Sequence, residues 1–132
     1  MTIKIPVSAG ELIDKITILE IKAIHIKERE KLQQVKSELN MLNKEYSKIE
    51  NKCSDKRIQL DKLKNHLHTI NSILWETEDK IRMKESKKTF DQEFIKLARS
   101  IYTKNDTRAL IKNKINHILG SKLSDIKHYK KY

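Results

Sequence analysis

Two hydrophobic stripes organise this chain. One runs through Leu32, Val35, Leu39, Leu42, Tyr46 and Ile49, the other through Leu60, Leu63, Leu67, Ile70, Leu74 and Ile81. Each advances mostly in steps of three and four residues, the spacing of a helix buried along a coiled-coil seam. Between them, Asn51-Lys52-Cys53-Ser54-Asp55 is the best turn, with Ser54 or Asp55 able to cap the next helix. Folding the chain there sets Leu32 against Leu74, Val35 against Ile70, Leu39 against Leu67, Leu42 against Leu63 and Tyr46 against Leu60. The numbers of each pair sum to 105 or 106. The pattern predicts an antiparallel coiled-coil hairpin, with helices over 8–51 and 55–85.

The first stripe does not extend back to the start of its helix. There the apolar positions become Leu12, Ile16, Leu19, Ala23 and Ile26, flanked by Ile13, Ile21 and Ile24. That face is too wide for one partner helix, so further helices must cover it. Two short ones are expected over 89–119. Thr89 and Gln92 read as a capping box before Phe94, Leu97, Ala98 and Ile101. Asn105-Asp106-Thr107 can cap the second, which carries Leu110, Ile111, Ile115 and Ile118 and ends at Gly120, a C′ glycine. Ahead of the first helix, Thr2-Ile3-Lys4-Ile5-Pro6 alternates like a strand with no sheet to join. It is read as an extended arm packed on the base or on a second copy. Residues 121–132 form a basic tail. The expected fold is a single all-α domain: a long antiparallel coiled-coil hairpin projecting from a base completed by two or more shorter C-terminal helices.

The start of the first helix, VSAGELIDKITIL (Val7–Leu19), is the densest local signal. Ser8 and Glu11 form a capping box, and Val7 and Leu12 stand at hydrophobic-staple positions. Neither role uses Asp14 or Lys15.

Composition supports the helical reading. A chain of 132 residues with two Gly and one Pro has little room for the turns that sandwiches and barrels need. The net charge of +11, from 29 Lys+Arg against 18 Asp+Glu, favours anionic partners in general. The excess is almost all Lys, as codon bias in an AT-rich genome also produces, whereas Arg is the residue that reads phosphate bidentately. Nucleic-acid binding through Lys-rich faces is therefore an alternative and not the main expectation. Cys53 is the single cysteine, so no internal disulfide can form. With no secretory signal and no run of 18 apolar residues, the expected location is the cytoplasm.

Two E-x-x-D pairs, Glu11/Asp14 and Glu76/Asp79, resemble the carboxylate sets that hold Mg²⁺ in helical nucleotide hydrolases. The hairpin register keeps them roughly 20 Å apart. The five histidines show no metal-ligand spacing, and neither a metal nor a cofactor is expected. The candidate site lies at the base. Trp75, Glu78, Asp79 and Arg82 share a helix face, with Lys22 nearby by register. Arg99 and Tyr102 lie on the third helix, and Asn105, Arg108 and Lys112 surround the start of the fourth, where free N–H groups favour an anion. With Asp14 and Lys15 these make an anion- or partner-binding set. The competing reading is a salt-bridge network tying the base together.

The runs VSAGELIDKITILEIK, NSILWETEDKIR and FIKLARSIYTKNDTRALIKNKIN resemble a small bacterial family of uncharacterised proteins, domain of unknown function family 6165. The resemblance covers about residues 5–27 and 71–118. Some members of that family occur beside glycosyltransferases for surface polysaccharides, so it implies a role accessory to cell-envelope polysaccharide or glycosyltransfer machinery. The expectation is a non-catalytic binding or assembly protein, acting through a protein partner or self-association. The alternative is a small enzyme or sensor that binds an anionic metabolite or nucleotide sugar at the base.

Overall fold

The computed structural model describes residues 1–132 and is all-helical. Its elements are α1 (Ala9–His25), α2 (Arg29–Lys52), a single 3₁₀ turn (Ser54–Lys56), α3 (Arg57–Ser86) and α4 (Gln92–Ile118). α3 and α4 run antiparallel, so that Lys56 at the start of α3 meets Ile118 at the end of α4. α1 packs against each of the other three helices, and α4 runs alongside α3.

The single helix expected over 8–51 is two helices. The break is at Ile26–Glu28, where Ile26 and Glu28 take extended backbone (φ −75, ψ 125 and φ −67, ψ 123). No Gly or Pro marks it. The cause is the wide apolar face of α1. Ile13, Ile16, Leu19 and Ile21 are all buried, and each buried side chain of this size contributes about 1.5–3 kcal/mol. That outweighs the one or two helical hydrogen bonds lost at the link, worth about 1 kcal/mol each. α2 turns back along α1, and Lys15 meets Glu38 at 2.9 Å.

This changes the hairpin. α2 and α3 share one hydrophobic core, with Tyr46, Leu60, Leu67, Ile70 and Leu74 buried in it and Leu39, Leu42 and Leu63 packed against it. Ile13 and Ile16 of α1 and Ile111 and Ile115 of α4 enter the same core. The close backbone packing is between α1 and each of α2, α3 and α4 and between α3 and α4, not between α2 and α3. Nor does the tip project. Lys56 Nζ, in the turn, donates to the Ile118 carbonyl at the end of α4 at 2.7 Å.

The two short base helices are one helix, α4. The polar run Asn105-Asp106-Thr107 does not start a new element, because the helix that carries it packs unbroken along α3; Thr107 Oγ1 only back-bonds to the Thr103 carbonyl. Its N-cap is Asp91, which accepts from Phe94 N at 2.9 Å, and not Thr89. Gly120, at φ 62, is the C′ residue of a Schellman motif. Gly120 N donates to His117 O at 3.2 Å and Ser121 N to Asn116 O at 2.8 Å. α3 ends the same way with Lys88 at φ 54: Lys88 N reaches Glu85 O and Thr89 N reaches Lys84 O. The N-terminal arm does not pack on the base; residues 1–7 are exposed and have no regular structure. The tail folds back along α4, where Asn113 exchanges two hydrogen bonds with the Asp125 backbone and Tyr132 Oη donates to Asp106 at 2.6 Å.

The start of α1 is sealed by the end of α4. Ser8 Oγ accepts from Glu11 N at 3.1 Å, Asn116 Oδ1 from Gly10 N at 2.6 Å and Ser121 Oγ from Ala9 N at 3.4 Å. Three of the four donors that a helix start leaves open are thereby satisfied. The reciprocal half of the expected capping box is absent, since Glu11 points to Lys112 instead. Gly10 permits the contact. A Cβ there would stand 2.4 Å from the Lys112 carbonyl oxygen and 2.8 Å from Asn116 Oδ1. Gly10→Ala should therefore cost about 1–3 kcal/mol in urea denaturation, although alanine gains up to about 1 kcal/mol in helix propensity. An unchanged or higher midpoint would refute this close packing.

Tyr46 is 5% exposed and its hydroxyl has no partner. Burial, reinforced by the carboxylates of Glu50 and Asp61, pushes its pKa up to about 12. The unfolded chain ionises this phenol near pH 10 while the folded chain keeps it neutral. Stability should thus be unaffected below pH 10 and fall as pH rises from 10 to 12, by on the order of 2 kcal/mol. Tyr46→Phe should flatten that alkaline loss relative to wild type without lowering stability at pH 7; identical alkaline limbs for the two proteins would count against it.

Candidate functional site

The polar residues of α1 converge on α3 and α4. Asp14 is 1% exposed. Arg108 grips it with two bonds, Nε to Oδ1 at 2.9 Å and Nη2 to Oδ2 at 2.5 Å. Asn71 Nδ2 donates to Asp14 Oδ1 and to Thr17 Oγ1, both at 2.9 Å, and Thr17 Oγ1 returns a bond to the Asp14 carbonyl at 2.7 Å. One turn away, buried Lys112 holds Glu11 at 2.7 Å and Asp125 at 3.2 Å. The hydrogen bonds that Arg108 donates to Asp14 raise its pKa above the ordinary value, against burial that lowers it. Burial pulls Lys112 down, but its bonds to Glu11 and Asp125 prevail and raise it.

A bidentate guanidinium–carboxylate pair with its remaining lone pairs satisfied is the geometry that makes a buried ion pair tolerable. Removing one partner strands the other charge. Asp14→Ala is expected to lose about 3 kcal/mol, and Asp14→Leu combined with Arg108→Met to recover most of it. Urea denaturation of the three proteins measures this, and a loss under about 0.5 kcal/mol in the single variant would show that the pair contributes little.

Beside this pair, α1, α3 and α4 leave an open cleft of about 460 Å³. Ile18, Ile21 and Leu74 form its apolar wall, and Trp75, Glu78, Asp79, Arg82, Asn105 and Asn71 surround it, with Arg108 at its base. Arg108 Nη1 also reaches Asn105 Oδ1 at 3.3 Å. Arg82 is exposed and leans on Glu78 at 3.4 Å. Asp79 is exposed and makes no ion pair. His25 stacks on the Trp75 indole with centroids 5.0 Å apart and is exposed.

Of the residues singled out from the sequence, the fold brings Trp75, Asp79, Arg82, Asn105 and Arg108 to one cleft. Asp14 lies behind it, consumed by Arg108. Lys112 belongs to the neighbouring Glu11–Asp125 cluster. Lys15 is on the surface with Glu38. Lys22 and Arg99 do not line the cleft. Tyr102 faces the tail, edge-on to Tyr132 at 5.0 Å. Asn71, Ile18 and Ile21 were missed. Asn71 had a legible signal, since a polar residue between Leu67 and Leu74 on a buried stripe calls for a buried partner. No three His, Cys, Asp or Glu side chains are grouped to hold a metal ion. No helix is long and apolar enough to cross a membrane.

The fold and cleft define an all-α bundle whose N-terminal helix is clamped by ion pairs beside an open amphipathic hollow. The chain belongs to a Family of unknown function (DUF6165), whose family model matches residues 3–132, the whole of the bundle and tail. No curated protein and no solved structure matches it.

Proposed function

We propose that this protein is a non-catalytic binding protein whose cleft takes a hydroxyl-rich ligand of the glycan class, in a role accessory to polysaccharide or glycosyltransfer machinery. The observation that carries this is the charge state of the cleft. Both guanidiniums already face carboxylates, Arg108 with Asp14 and Arg82 with Glu78, while Asp79 has no cationic partner. An anionic ligand would have to compete with Asp14 and Glu78 for the two arginines and would meet Asp79 as a like charge. A polyol suits the same groups. Asp79 and Glu78 accept from hydroxyls, the free N–H groups of Arg82 donate to them, and the apolar wall with Trp75 receives the ring C–H faces. The anionic metabolite or nucleotide sugar expected from residue types alone is the weaker fit. Assembly through a projecting rod has no support in a bundle whose hairpin tip is tied to α4.

Trp75 is the only tryptophan of the chain, so its fluorescence reports cleft occupancy directly. Titration with neutral oligosaccharides should shift or quench the emission, and Asp79→Ala should weaken that response at least about tenfold. If dicarboxylates, nucleotides or sugar phosphates alter the emission and neutral sugars do not, the glycan reading is wrong and the anion reading replaces it.

A further inference from the structure

Toward the other end of the α3–α4 pair lies a second concavity, about 580 Å³, that shares no residue with the cleft. Its apolar residues are Leu63, Leu110 and Ile118, and its rim carries Lys62, Lys114 and His117, with no carboxylate among the lining residues. Leu110 is 64% exposed, although its neighbours Ala109 and Ile111 are buried. It therefore adds nothing to the core and offers an apolar side chain to whatever occupies the groove. We propose that this groove docks an acidic amphipathic helix of a partner protein.

Shape and charge select that occupant. Two antiparallel helices packed about 8–10 Å apart leave a furrow that a third helix fills by interdigitation, and an apolar floor reads leucines at i, i+4 and i+7. The Lys–His rim, in a chain of net charge +11, complements glutamates flanking that stripe. A furrow between helices is concave, whereas a bilayer needs a convex or flat apolar surface to enter. The chain's own arm exposes Ile3, Ile5 and Val7. It leaves α1 next to Ser121, close to the Ile118 end of the groove. Yet residues 1–7 carry Lys4 and no carboxylate, so like charge opposes its insertion, whether from the same chain or from a second copy.

The test is fluorescence anisotropy on the full chain with a labelled helical peptide of about five turns. The peptide carries a leucine stripe and flanking glutamates, and its control has the same composition in scrambled order. The patterned peptide should bind at least about tenfold more tightly than the control. Leu110→Lys should weaken binding by a similar factor, and so should the Lys62→Glu, Lys114→Glu double variant. Circular dichroism should stay unchanged in both, since the substituted side chains lie outside the core. The proposal is overturned if the patterned peptide does not bind, if both peptides bind equally, or if Leu110→Lys has no effect. It is also overturned if the protein ignores the peptide but binds equimolar phosphatidylglycerol–phosphatidylcholine vesicles in a Leu110-dependent way, which would make the groove a lipid contact.

Discussion

How closely α1 can lie against α4 governs the rest of this bundle. At Gly10 the two helices approach until a single Cβ would collide with the Lys112 carbonyl. From that contact the other features follow in register. One end of α4 supplies Asn116 and Ser121 to the open N–H groups of α1. Glu11, the next residue of α1, meets Lys112, and one turn further on Asp14 meets Arg108. A larger residue at position 10 would move the carboxylates away from their cations and leave charges buried without partners, the costliest defect a small core can hold.

The same crossing explains why charge and apolar burial sit together. Ile13 and Ile16 enter the shared core while Asp14 and Thr17, on the adjacent face, meet Asn71 and Arg108. Apolar burial supplies free energy without direction. The Asp14 network supplies direction, because a bidentate pair tolerates little sliding or rotation. α1 is thus held in position between α2, α3 and α4, and its outer edge, with Ile18 and Ile21, becomes one wall of the cleft. The candidate site is a by-product of where the ion pair locks the helix.

Several of these features could be read in advance. The two stripes marked the core faces of α2 and α3, and Tyr46, Leu60, Leu67, Ile70 and Leu74 are buried. The Gly120 cap follows from local chemistry, since only a residue at ease with positive φ closes a Schellman turn cheaply. Lys88 does the same at the end of α3 but carries no sequence signature. The Trp75–Asp79–Arg82 face was legible from helical spacing, because those residues share one helix. Asn105 and Arg108 were also singled out, though as the start of a separate helix; the wall of Ile18 and Ile21 was not, because it exists only through the packing of α1 against α3 and α4.

What the sequence by itself determined is whatever depends on spacing within a helix: the all-α class, the apolar stripes, the cap at Ser8 and the turn near Cys53. These are settled by interactions over three or four residues. Tertiary structure decided the break at Ile26–Glu28, the continuity of α4 through Asn105–Thr107 and the lowering of the hairpin tip onto α4. In each case local preference is worth about 1 kcal/mol, while the apolar area gained by folding α1 back, or by running α4 unbroken along α3, is worth several times that. It also decided the meaning of Asp14. In the sequence it was a spare carboxylate on a well-capped helix, and in the fold it is the counter-charge that holds Arg108 at the base of the cleft.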